Sequence, residues 1–109
     1  MFVSFVDNLS VWHLRLLLWF TDPSAWYRKN NVKPREIHLI GNLPQVISEA
    51  FPELRPEPDL AEQCVSDLQS RGLLAKFSYH TNMSGQGIYS ERGTKLGRQF
   101  LAFITAPHN

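Results

Sequence analysis

Ten consecutive residues, Val11 to Phe20, read VWHLRLLLWF, and only His13 and Arg15 among them are polar. Ser10 stands directly in front, where a hydroxyl can cap a helix by accepting a backbone N–H. A helix that is apolar on nearly every side must be covered on nearly every side. Phe2, Phe5, Val6 and Leu9 are expected to form a preceding helical turn that covers part of it, and a partner subunit could cover more. A membrane span is not expected. Asp7, Asn8, Ser10, His13 and Arg15 interrupt the apolar run, no basic leader precedes it, and a spanning helix needs roughly 20 apolar residues.

The 109 residues fit one domain. Its expected parts are a helical extension over 1–8, a core over 9–104 and a tail over 105–109. With 43% apolar residues the chain can bury one core, but little remains to surround a deep substrate cavity. Cys64 is the single cysteine, so no internal disulfide can form. It reads as a small buried apolar residue, and a cytoplasmic, reducing setting is expected.

Further along, Asp22-Pro23-Ser24 stops the first helix and can start a short one through about Asn30. Ile37 to Ile40 reads as a short strand ended by Gly41-Asn42. Leu43, Val46, Ile47, Ala50, Phe51 and Leu54 follow helical spacing, a clear amphipathic stripe. Pro52, Pro56 and Pro58 make a stiff connection. Asp59 is expected to cap a helix whose buried stripe is Leu60, Ala61, Cys64, Val65 and Leu68, with Gly72 as its left-handed stop. Leu73 to Tyr79 and Gly87 to Ser90 read as two strands around a polar tip, His80 to Gln86. Thr94 is expected to cap a last helix with Leu96, Phe100, Phe103 and Ile104 inward. The expected class is therefore α+β, mainly α, with one antiparallel β-hairpin and an extra C-terminal helix.

This order resembles a winged helix-turn-helix domain. LAEQCVSDLQSRGLL, residues 60–74, is similar to the second helix of that unit, and Leu68, Gly72, Leu73 and Leu74 match the LxxxGLI ending common in MarR-like and PadR-like families. IYSERGTKLGRQFLAFI, residues 88–104, resembles the second wing strand running into the final helix, with Tyr89 and Gly97 in characteristic places. LSVWHLRLLLWFTDPSAW is similar to the start of a C-terminal domain in uncharacterised bacterial proteins. The likeness implies a DNA-binding, regulator-like module, with the second helix in the major groove and the wing at the backbone. It places Gln63, Ser66, Gln69, Ser70 and Arg71 towards the groove and Lys76, His80 and Asn82 at the phosphates. Two departures stand out: the proline-rich connection around Glu53 to Pro58 exceeds the usual turn, and Thr21 to Asn42 is an insertion.

The charge pattern opposes that implication. Residues 1–35 carry a net +3, residues 36–67 a net −6 and residues 68–109 a net +4. The expected recognition helix holds Asp59, Glu62 and Asp67 against Arg71 alone, with Glu57 just ahead. Phosphate contact rewards clustered bases, so such a helix suits a protein partner better. The apolar first helix equally suits a homodimer seam, although its aromatics can simply build one core. Double-stranded DNA, a second copy and a different protein are therefore the expected classes of partner.

No chemistry is expected. His13, His38, His80 and His108 are scattered, and none pairs at metal-ligand spacing with another or with Cys64. No GxGxxG, Walker-type loop or GxSxG occurs. Glu57 and Asp59 sit at a helix start, where acids suit the dipole. No catalytic residue, metal or cofactor is expected. The surface over Asp59 to Arg71 separates the two recognition classes: a convex acidic helix favours protein, and a continuous basic strip from wing to helix favours nucleic acid.

Overall fold

Ser10 closes a capping box with an uncommon partner. Its side chain accepts the His13 amide, and the His13 ring accepts the Ser10 amide, a place usually held by Glu or Gln. In this computed structural model, which describes residues 9–34 and 41–105, the helix so started is α1, Val11–Thr21. Asp22 then serves two helices. Its amide donates to the Leu18 carbonyl at the end of α1, and its carboxylate accepts the Ala25 amide at 3.1 Å. That begins α2, Pro23–Asn30, which ends at Asn31 in the left-handed region, φ 54°.

Asn42 caps α3, Leu43–Ala50, and a 3-10 turn follows over Pro52–Leu54. Next comes α4, Pro58–Ser70. Gly72 ends it at φ +73°, a conformation that any side chain would strain. A single helical turn, α5, spans Gly85–Ile88, and α6 spans Lys95–Thr105. Thr94 caps α6 as expected, accepting the Gly97 amide at 2.9 Å while its hydroxyl donates to the Gly72 carbonyl.

The cover that α1 requires comes from within the chain. It packs against α4 chiefly, and against α2 and α6. Leu16, Leu17, Trp19 and Phe20 are fully buried, and Tyr27, Phe51, Val65, Leu68, Ile88 and Phe100 join them in one core. Cys64 lies in that core too. Val11 and Leu18 stay exposed on the outer side of α1.

The expected β-hairpin is absent, and with it the α+β class and the wing: the described residues contain helices and no strand. Only isolated antiparallel bridges join Leu74 to Gly93 and Gly41 to Met83. Side chains explain why the ladder stops. The Gln69 amide donates to the Ala75 and Phe77 carbonyls, at 3.2 and 3.0 Å, along the first expected strand. The Arg92 guanidinium donates to the Gly87, Ile88 and Ser90 carbonyls along the second. Ser84 caps Gly85–Ile88 into a helical turn instead. Carbonyls already held by side chains are not offered to a neighbouring strand.

Smaller differences follow from register. Pro58 is the first residue of α4, so Glu57 rather than Asp59 holds the cap position. Leu60 and Phe103 face outward, whereas Leu101 is buried. The expected strand Ile37 to Ile40 and the turn through Phe2, Phe5 and Val6 lie outside the described residues.

Arg92 is 7% exposed and pairs with no carboxylate among the described residues. Its guanidinium lies 4.9 Å from the Phe77 ring centre and 5.9 Å from that of Phe20, and carbonyls take its donors. Arg92→Lys should cost about 2–3 kcal/mol in urea denaturation, because an ammonium cannot span those acceptors. Gly97→Ala should cost more, about 3 kcal/mol or above, since its methyl would overlap the Leu73 carbonyl oxygen. An unchanged urea midpoint for Gly97→Ala would contradict the close seat of α6 on Leu73.

Candidate functional site

The residues expected to meet DNA divide into two places. Ser66, Gln69, Ser70 and Lys76 line one shallow hollow at the far half of α4. His80 lies at the opposite end, where its Nε2 meets Glu62 Oε1 at 2.9 Å. Asn82 is exposed in the segment before α5. Three of the group hold the fold together. Gln63 donates to Asp67 Oδ1 at 2.8 Å, Gln69 ties down the Ala75 and Phe77 carbonyls, and half-buried Arg71 turns back to the Asp67 carbonyl.

Asp67 anchors α4 to α1. Its Oδ2 meets His13 Nε2 at 2.8 Å, and His13 Nδ1 lies 2.8 Å from Ser10 Oγ. Ser, His and Asp in a line suggest an activated hydroxyl. Here the Ser10 oxygen is committed to capping α1, and Nδ1 also accepts the Ser10 amide at 3.0 Å. The line is a clamp between helices. The His13 and Gln63 hydrogen bonds hold the Asp67 carboxyl below its ordinary value. Beside it, burial and then the Asp67 charge push the Cys64 thiol up to about 11, which leaves no nucleophilic thiolate.

The start of α4 carries the acids. Glu57, Asp59 and Glu62 are all exposed there, and no base occurs on α4 itself. Arg55 lies just ahead, its Nε donating to the Ser48 carbonyl at 3.1 Å. Between α3, the 3-10 turn, the start of α4 and Tyr79-His80 opens a cleft of about 120 Å³. Ile47, Leu54 and Ala61 give it apolar walls, and Arg55, Asp59, Glu62 and His80 stand among its lining residues. Tyr79, another lining residue, is 8% exposed. Burial, then the Glu62 carboxylate, drives its phenol pKa far up.

Tyr79 and Glu62 were not foreseen as a pair. Tyr79 reads as a strand residue, and only the packing of the segment after Gly72 across α3 and α4 brings it to Glu62. No spacing in the sequence signals that approach.

Exposed bases gather away from α4. Arg28, Lys29 and Lys33 are exposed at the end of α2 and just beyond, and Arg28 and Lys33 border a cleft of about 640 Å³ with Tyr27 and Tyr89. Arg35 lies outside the described residues. Among the described residues, no group of three or more His, Cys, Asp or Glu could hold a metal ion. None of their helices is long and apolar enough to cross a membrane. Compared with protein-family models, with curated proteins and with solved structures, the chain matches none.

The clamp has a pH signature. A carboxylate held below its ordinary pKa adds stability above the unfolded value, near 3.8, and that stability is lost as pH falls through the lower folded value. Asp67→Asn should therefore lower stability by about 1 kcal/mol at pH 7. The gap to the unsubstituted chain should close below about pH 4 in urea titrations. A gap of constant size from pH 7 to pH 3 would contradict an ionised Asp67 in the clamp.

Proposed function

We propose that this chain is a non-catalytic recognition module that docks a positively charged segment of another protein on the acidic start of α4. One observation carries the proposal. The exposed surface there presents Glu57, Asp59 and Glu62, and the first base after them, Arg71, is turned back onto the Asp67 carbonyl. A phosphate backbone at that surface would meet like charge at close range, and the affinity gained by releasing counterions would be missing. A basic peptide meets opposite charge, which speeds encounter and fixes register.

Duplex DNA is the second reading, favoured by the hollow that groups Ser66, Gln69, Ser70 and Lys76. It has a single exposed base. The group of bases at Arg28, Lys29 and Lys33 belongs to α2 and the turn after it, not to this hollow.

Fluorescence anisotropy with a labelled lysine-rich peptide and a labelled duplex, each at low and moderate salt, tests the two. The peptide should bind and weaken with salt. The combined variant Glu57→Gln, Asp59→Asn and Glu62→Gln should bind it at least about tenfold more weakly. Peptide affinity unchanged in that variant would sink the proposal. Duplex binding at low salt that Arg71→Ala with Lys76→Ala removes would establish the DNA reading instead. Concentration-dependent sedimentation lost on Leu18→Glu would assign the exposed side of α1 to a second copy.

A further inference from the structure

We infer that the cleft at the start of α4 receives one lysine side chain of the docked partner. Its methylenes would lie on Ile47, Leu54 and Ala61, and its ammonium would meet Glu62, Asp59 and the Tyr79 hydroxyl. The inference rests on the acidic start of α4 being the docking surface and names what that surface selects.

Size comes first. Ligand sites for whole small molecules run from roughly 300 to 1,000 Å³, and this cleft has about 120 Å³. It has room for a single side chain, the scale on which anchor residues of an interface work. Its apolar walls match a methylene stem, and its charged lining matches a charged head, the division a lysine side chain makes along its own length.

The chemistry of the lining selects the head. Tyr79 is more than nine-tenths buried, yet its hydroxyl makes no hydrogen bond among the described residues. The only sealed polar side-chain atoms without a partner there are Trp19 Nε1 and Thr21 Oγ1. The Tyr79 oxygen therefore reaches open space, and the space that Tyr79 lines is this cleft. A hydroxyl that opens on the cleft without a partner among the described residues can accept a hydrogen bond from a donor placed there.

Glu62 lines the same cleft as Tyr79, and its charge adds to burial in raising the Tyr79 phenol. Its present partner, His80, is held in an exposed pair, with side chains 49% and 64% accessible. Such pairs contribute little, so an incoming ammonium can take Glu62 without a large loss. Two carboxylates, Asp59 and Glu62, face one guanidinium, Arg55, among the residues that line this opening, and the exposed Glu57 lies just ahead of them in sequence, which favours a cation over an anion. A compact ammonium has three donors for two carboxylates and one phenol oxygen. A guanidinium is a flat fork and would press against Arg55.

Titration of the 15N-labelled 109-residue chain with Nα-acetyl-lysine methylamide, Nα-acetyl-norleucine methylamide and sodium acetate tests this directly. The lysine probe should shift the Ala61, Glu62, Tyr79 and His80 amides, and the other two should not. Tyr79→Phe, which keeps the ring, should weaken the lysine-rich peptide by about tenfold. Ala61→Met should fill the cleft and abolish the lysine shifts while circular dichroism still reports a folded helix. Equal shifts with norleucine would make this an apolar notch, and shifts with acetate would reverse the sign of the ligand; either overturns the inference. So would a Tyr79→Phe chain that binds the peptide unchanged while the three-acid variant loses it, which would leave the docking surface intact without its lysine. Loss of peptide binding to the unsubstituted chain would remove the surface and the cleft together.

Discussion

Burying α1 is the constraint around which the other helices are arranged. Three helices share its cover: α2 folds back from Asp22, α4 lies across it, and α6 closes from the far end of the chain, while Val11 and Leu18 stay outward. The apolar contact alone fixes neither rotation nor register, because leucines slide past one another at small cost. Directional bonds supply what is missing. Ser10, His13 and Asp67 set the angle and height of α4 against α1, and Gln63 braces the carboxylate from within α4. Hydrogen bonds to a charged group are stronger and more exacting than neutral ones. One buried seam and one partly buried clamp thus place the whole outer surface of α4.

The segment between α4 and α6 follows a second rule, the replacement of backbone partners by side chains. Gln69 reaches out of α4 to hold two carbonyls, and Arg92 reaches in from the other side to hold three more. An extended chain satisfied in this way needs no neighbouring strand. It follows the surface of the helices instead, and that path carries Tyr79 onto Glu62 and the ends of α3 and the 3-10 turn. The missing hairpin and the cleft are two results of one cause.

Local signals in the sequence located the helices well. Ser10, Asp22 and Thr94 each stand at a helix start, and Gly72 at a helix end, for reasons of capping and handedness that the local sequence reveals; the Asn42 cap shows only in the structure. The apolar and aromatic content that reads as a strand over Leu73 to Tyr79 is a weaker kind of signal. It records which side chains face a core, and an extended segment packed on helices shows it as readily as a strand. Nothing in the order of residues told that Gln69, a polar residue on a helix expected to face DNA, would be used as a backbone partner. The same holds for Arg92, whose charge counts in the +4 of the last third but is almost wholly buried. Charge totals describe a surface only after buried and paired charges are removed from them.

With those charges removed, the acids that matter can be separated by what each one explains. Glu57 and Asp59 lie at the first turn of α4, where a negative charge suits the helix dipole whatever else the surface does. Asp67 belongs to the clamp with His13. Glu62 lies one turn further on, beyond the range over which the dipole acts, and its direct partner among the described residues is an exposed histidine. It stands beside the buried Tyr79, whose hydroxyl makes no hydrogen bond among the described residues, and over a cleft sized for one side chain. Charge placed beyond the reach of the helix dipole, next to a hydroxyl that opens on the same cleft, is what the proposed lysine would use.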